Sequence, residues 1–326
     1  MKNINNYILT IISILIIFFL IESILRIIGD TPRTKNNIIN LDKEPLIYQK
    51  DNQIGWIHKP GKYSFLPWSN EGKITKFNIN NDLSRSTFYM NESINKMLFI
   101  GGSLTQGWAV SDKENFVSLL QKNLKNYKVK NYGVGGYGGY QSLLLLERII
   151  KKDQNVSYVI YGFIPHHEVR NVAAGSWLYL LNKYSKRGHT SVPYSSINKS
   201  GNLIRHYPID YLKLFLGDKL SVMAKIEKRI MKIKSRNREK KKFEISKKII
   251  KEMKIITESN GAKFYMLILN QMPKPQLNNY KKFFVNENIS SIYCPFPEGS
   301  KFTVLGDGHP NELAHKKVFT CLSSHF

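Results

Sequence analysis

Acidic residues are scarce: 24 Asp and Glu stand against 49 Lys and Arg, giving a formal charge of +25 over 326 residues. Cysteine is scarcer, with only Cys294 and Cys321. Neither lies in a metal-ligand spacing, so a structural zinc site is not expected, nor is any other metal or cofactor. In an oxidising compartment the two can pair; as buried thiols they can equally stay free. The chain also lacks zinc-finger spacing and any aromatic RNP-like run, which removes nucleic acid as a partner despite the charge. Lys, Asn and Ile are spread throughout, so most of that charge reads as solvated surface. One stretch, 225–248, is denser in Lys and Arg and faces few acids, a pattern suited to anionic lipid. No internal repeat is present.

What the N-terminus has is a long apolar run. Residues 8–21 carry no charge and apolar character continues through Ile28, with Glu22 and Arg26 near the far end. That is enough to span about 20 residues of bilayer. No clean small-x-small cleavage site follows, so residues 1–29 are read as an uncleaved signal anchor rather than a signal peptide. Lys2 precedes the run while Arg26, Arg33 and Lys35 follow it, and this local count does not favour an outside C-terminus. Long domains, however, translocate largely regardless of charge. Residues 30–50 read as a polar tether. Residues 54–90 alternate apolar and polar between turn residues, so 30–95 is assigned to a tether and a small β-rich subdomain. The aromatics Trp56, Tyr63, Phe65 and Trp68 read as packing of that subdomain.

From residue 96 the chain alternates strand and helix. Apolar runs at 97–100, 129–132, 158–164, 263–269 and 290–293 suit buried strands. Helical spacing recurs near 113–126, 139–152, 222–233, 243–258 and 311–322. The stretch 234–242 has no apolar residue and is expected to protrude as a loop or an exposed helical segment. Alternating units of this kind imply an α/β fold with a parallel sheet covered on both faces, a three-layer α/β/α arrangement. Residues 171–221 break the alternation. They follow the third strand and are rich in Tyr, Trp, Ser, Asn and Gly, so they are read as a lid or recognition insert.

Three blocks carry chemistry. Ile100-Gly101-Gly102-Ser103-Leu104-Thr105-Gln106-Gly107 reads as strand, tight turn and helix, which exposes Ser103 at the carboxyl end of a strand. Alone, Gly-Gly-Ser before a helix is a turn with a capping hydroxyl. Asn131-Tyr132-Gly133-Val134-Gly135-Gly136 follows the second strand and opens a second helix. Gly306-Asp307-Gly308-His309-Pro310-Asn311 precedes the final helix. In this order the blocks resemble the GDSL or SGNH hydrolase superfamily over roughly residues 96–326. The resemblance implies a flavodoxin-like fold with one central parallel sheet.

A serine hydroxyl needs a base within hydrogen-bond reach, and the base needs an acceptor to hold its tautomer. Ser103, His309 and Asp307 supply these roles, provided the loop carries residues i and i+2 to one side. The resemblance implies an oxyanion hole from the amides of Ser103 and Gly136 and a third donor after the third strand. There Pro165-His166-His167-Glu168-Val169-Arg170-Asn171 stands where an Asn-Asp pair is expected. His166 takes the asparagine position, with Asn171 as the alternative donor. His167 takes the aspartate position and is assigned to supporting the loop. Two adjacent histidines without carboxylate or thiolate ligands do not make a metal site. His315 reads as packing or surface.

Two departures stand out. Gly102 replaces the aspartate of the signature, and the last block is Asp-x-His rather than Asp-x-x-His. The expected activity is a serine esterase working through an acyl-serine on an ester-decorated envelope glycan or lipid, with an extracytoplasmic body tethered to the membrane. An O-acyltransferase on the same scaffold, or a non-catalytic binding module, are the other readings. The oligomeric state is not legible.

Overall fold

The structure is a computed structural model that describes residues 2–33, 46–67, 73–185 and 190–326. Trp68, Lys35 and most of the expected tether lie outside the described residues. Helix α1 (Lys2–Ile27) leaves most of its apolar side chains bare, Leu25 excepted, and is long and apolar enough to cross a membrane over Asn6–Ile27. Two antiparallel hairpins follow: β1 (Tyr48–Asp51) with β2 (Gly55–His58), and β3 (Gly61–Phe65) with β4 (Thr75–Ile79). The main sheet is built from β5 (Lys96–Gly101), β6 (Lys128–Gly133), β7 (Val156–Phe163), β10 (Lys263–Ile268) and β11 (Ser290–Tyr293). Between β7 and β10 a hairpin of β8 (Val192–Ile197) and β9 (Leu203–Ile209) forms a separate two-stranded sheet.

The five central strands are all parallel in the order β11-β10-β7-β5-β6. Counting only these strands, the order is the flavodoxin-like 2-1-3-4-5, and its switch point lies between β5 and β7. Successive side chains of a strand point to opposite faces. Phe99 accordingly joins a core with Phe116, Ile160 and Val318, under α3 (Phe116–Asn123) and α10 (Glu312–Leu322). Leu98 and Ile100 join the other core with Leu143, Ile249 and Phe284, under α4 (Gly139–Ile149), α8 (Lys242–Ser259) and α9 (Lys274–Asn286). The result is the three-layer α/β/α architecture with all five expected strands. Cys294 and Cys321 form a disulfide that ties the end of β11 to α10.

Three expected regions take a definite form. The short strands of the N-terminal region do not build a unit of their own. Ile47, Ile54, Trp56, Phe65, Phe77 and Ile79 are buried in the same core as α4 and α8. Their apolar faces are too small to bury one another, so they take the sheet domain as their partner.

The insert at 171–221 packs on the helical layer, and its Trp177 ring lies 4.5 Å from the Arg170 guanidinium. It contributes α6 (Gly175–Tyr184) and the β8–β9 hairpin. Arg205 on β9 pairs with Glu147 of α4 at 2.7 Å and Glu252 of α8 at 2.5 Å. Residue 191 closes on the turn before β2. The hairpin thus lies on the outer surface of a helical layer, because its alternating apolar side finds cover there.

Residues 234–240 form the last turns of α7 (Ser221–Lys240), the exposed helical segment of the two forms expected, with Lys234, Arg236, Asn237 and Lys240 exposed. Ser235 is buried, and Arg238 donates to the carbonyls of Val172 and Ala173.

Candidate active site

Ser103 begins α2 (Ser103–Gln106), a single turn set at the carboxyl end of β5 and at the switch point of the sheet. The fold therefore delivers its hydroxyl to the edge where such sheets take ligands. Ser103 is 9% exposed, so the hydroxyl sits in a cleft rather than on a protruding loop.

The far block arrives as a tight turn, not as the extended loop that i and i+2 geometry assumed. Val304 donates to the carbonyl of His309 at 2.8 Å, and Gly308 donates to the carbonyl of Val304 at 2.9 Å. Gly306 and Gly308 take φ of +77° and +79°, a backbone region that glycine enters without a Cβ penalty. Between them the Asp307 carboxylate is fully buried. Its Oδ1 accepts the backbone N–H of His309 at 3.0 Å and contacts His309 Nδ1 at 2.5 Å. His309 Nε2 then stands 3.0 Å from Ser103 Oγ. The structure brings the three residues into one hydrogen-bonded chain in the order Asp307, His309, Ser103. Asn311 follows and caps α10 by accepting from the amides of Leu313 and Ala314.

Trp108 is a residue that motif reading missed. Its Nε1 donates to Asp307 Oδ2 at 3.0 Å, occupying the oxygen that His309 leaves open. The indole is itself packed by the N-terminal hairpin, with Phe65 at 5.0 Å and Phe77 at 6.4 Å between ring centroids. Trp108 lies five residues after Ser103 in a stretch with no periodic signal, so only the tertiary packing reveals it.

Arg85 is the second such residue. It is 1% exposed and pairs with Asp112 at 2.8 Å. The same guanidinium donates to the carbonyls of Gln106, Gly107 and Val110, the backbone that leaves the nucleophile turn. It also lies 3.8 Å from the centroid of the Phe77 ring. A buried cation of this kind is tolerated because its donors are matched by a carboxylate and by carbonyls. Arg85 thus braces the backbone that follows Ser103.

The second block reaches the same edge. Gly136, with φ of +84°, lies in the turn after β6, closed by Tyr137 donating to the carbonyl of Val134 at 3.2 Å. Trp56 Nε1 donates to the Gly135 carbonyl at 3.1 Å, and Tyr137 Oη donates to the Trp56 carbonyl. The N-terminal strands therefore hold the glycine turn in place.

The third block separates its candidates. Asn171 is buried and its amide is committed: Oδ1 accepts from Tyr140 at 2.9 Å and Nδ2 donates to Ser246 Oγ at 2.9 Å. It caps α4 through Oδ1 and gives one of its two N–H groups to Ser246. His166 opens α5 (His166–Asn171) and is largely exposed. Partial burial, then the charges of Arg170 and Lys242, hold its pKa below the ordinary histidine value.

His167 is 1% exposed, stacks on Tyr161, and sits 2.7 Å from the Tyr161 hydroxyl through Nδ1. Burial first, then Arg170 and His166, push its pKa well down, so the ring is neutral. Its Nε2 is buried, has no hydrogen-bond partner among the described residues, and lies 2.8 Å from where a Cβ on Gly102 would stand. Gly102 and His167 are therefore one feature: the imidazole of His167 occupies the room that a side chain at 102 would need. His315 is buried, stacked on Phe116, and accepts from the Phe116 amide at 3.3 Å. It is packing.

No family model matches the chain, and no curated protein does. Among solved structures, the chain is similar to TesA at 13% identity, over 70% of this chain and 96% of that one, with a TM-score of 0.41. It is similar to a member of the lipolytic protein G-D-S-L family from Veillonella parvula at 12% identity, over 71% and 97%, with a TM-score of 0.39. A third is the psychrotrophic esterase EstA from Pseudoalteromonas sp., at 10% identity, over 71% and 98%, with a TM-score of 0.42.

Proposed function

We propose that this protein is a membrane-anchored serine esterase of the SGNH type. The observation that carries the reading is the continuous chain from Asp307 through His309 to Ser103, with the hydroxyl at the switch point of the sheet. In this reading Ser103 Oγ attacks an ester carbonyl as His309 Nε2 takes its proton. Asp307, held by Trp108, stabilises the imidazolium that results. The oxyanion is met by the amides of Ser103 and Gly136, with His166 as the side-chain donor and Asn171 as the alternative. The imidazolium returns its proton to the departing alkoxide, leaving an acyl-serine. Water, deprotonated by His309, then releases the acid and restores the serine.

The substrate class is an ester-decorated envelope glycan or lipid, presented to a body outside the cytoplasm. The Cys294–Cys321 pairing supports that compartment, because disulfides persist where the medium is oxidising. The apolar, exposed α1 supplies the anchor.

A fluorophosphonate probe tests the chemistry. The folded wild-type protein is expected to take up the probe and cleave an aryl ester, and Ser103→Ala to do neither while unfolding at the same temperature. Loss of such a nucleophile costs several orders of magnitude in rate. A well-folded wild type that neither labels nor turns over sinks the reading.

A further inference from the structure

The junction between α1 and the body is built as a clamp. Helix α7 begins without a capping side chain of its own, since Leu220 precedes it. The cap comes from another element. Glu22 of α1, 6% exposed, accepts the backbone N–H of Ser221 at 2.9 Å and of Val222 at 2.9 Å. These are donors that a helix start leaves open, and the helix dipole favours a carboxylate there. One turn on, Arg26 pairs with Glu22 and donates to the Lys219 carbonyl at 2.8 Å. Asp30 accepts Ser221 Oγ at its carbonyl and Lys225 at its carboxylate. Arg33 pairs with the buried Glu227, which also accepts the amide of Leu214 at 2.7 Å. The last turns of α1 and residues 214–227 are thus joined by a run of hydrogen bonds and ion pairs.

The clamp has a geometric consequence. The uncharged run of α1 ends at Ile21, next to Glu22, so a bilayer that covers that run must end where the body begins. The part of the body held there is the turn at 213–219 and the start of α7. Phe215 in that turn is 84% exposed, between the exposed Lys213 and Lys219. Along α7, Lys225, Ile226, Arg229, Lys232, Ile233 and Arg236 are exposed and follow helical spacing, so they share one outer face. Apolar side chains flanked by cations on a bare helical stripe are what an interfacial helix offers to anionic lipid.

We propose that the Phe215 turn and the outer stripe of α7 form a second membrane contact, lying against anionic phospholipid headgroups and fixing the tilt of the catalytic body. This rests on the reading of α1 as the membrane span. The full chain, with Phe215→Cys or Ile233→Cys labelled by an environment-sensitive dye, is reconstituted into phosphatidylcholine or phosphatidylglycerol vesicles under non-reducing conditions. Met90→Cys is the reference: Met90 is 93% exposed, and its neighbour Tyr89 lies beside Lys122 of α3, on the other side of the sheet.

Vesicle flotation reports on the anchor and dye quenching on the contact. The expected result is co-flotation, with a severalfold drop in iodide quenching at 215 and 233 in phosphatidylglycerol, weakened by salt, and no drop at 90. Co-flotation with equal quenching at all three positions overturns the contact. Equal protection in both lipids overturns its assignment to anionic headgroups. A chain that does not co-float overturns the anchored reading itself.

Discussion

Asp307 has two oxygens, and the quality of the triad depends on both. Oδ1 is taken by His309, while Oδ2 is held by Trp108 at 3.0 Å. A hydrogen bond to a charged group is worth about 1.5–3 kcal/mol. Trp108→Phe keeps most of the ring packing against Phe65 and removes only the N–H. Turnover is expected to fall about 10- to 100-fold with KM near its original value, because the bond orients the base without touching substrate. Steady-state kinetics on an aryl ester decide it; unchanged kcat in a folded variant removes Trp108 from the machinery. His166 is the complementary case, since it is proposed to touch the oxyanion itself. Loss of one such donor costs roughly 100-fold or more in turnover, so His166→Ala should show that drop and His166→Asn should recover part of it. A near-normal His166→Ala makes Asn171 the next donor to test.

At the scale of elements, the nucleophile turn and the start of α5 have to be considered together. A Cβ at position 102 meets His167 Nε2 at 2.8 Å, the Tyr137 carbonyl at 3.2 Å and Arg170 Nη1 at 3.3 Å. His167 is stacked on Tyr161 and cannot swing away cheaply. Gly102→Ala is therefore expected to cost about 1–3 kcal/mol of stability, the usual penalty of overpacking a filled interior. In the His167→Ala background the same change should cost less, and a double-mutant cycle in urea measures the coupling. An additive pair shows that the two sites do not share the space.

The sequence alone exposes the departures at 102 and 167 separately, as two unmatched positions in two blocks, because contact between distant turns has no local signature. The same limit explains what else was legible. The five central strands and the paired long helices follow from apolar period and turn residues, and they appear where the pattern puts them. Ser103, Asp307 and His309 are picked out by three short blocks and the family resemblance they carry together. Arg85 and Trp108 have no such signal. Their roles arise when the N-terminal hairpins fold back onto the glycine turn and the nucleophile helix, and those hairpins read as a separate subdomain.

For the whole molecule, acid is the informative stress. His315 is buried between α3 and α10, against Phe116 and Phe296, with its Nδ1 accepting the Phe116 amide. Burial, then the charges of Arg85 and His309, push its pKa down to about 3. His167 is likewise held neutral by burial on the other side of the nucleophile turn. In the unfolded chain each histidine takes a proton near pH 6.5. Below that pH the unfolded state binds more protons than the folded state, so stability must fall as pH falls. For His315 the loss runs from about pH 6.5 down to about pH 3, below which both states are protonated and the term is constant. The slope approaches about 1.4 kcal/mol per pH unit for each such group. Urea denaturation of the disulfide-intact protein between pH 7 and pH 4 should show this decline. His315→Phe lowers stability at pH 7 by removing the acceptor for the Phe116 amide, and it should flatten the acid slope by one group's share. An unchanged slope in that variant places the acid sensitivity elsewhere. Because α10 follows directly from the turn that carries His309, the same protonation is expected to loosen the triad before the sheet. Activity should then be lost at a higher pH than the far-ultraviolet signal of the fold, and coincident loss of the two contradicts that order.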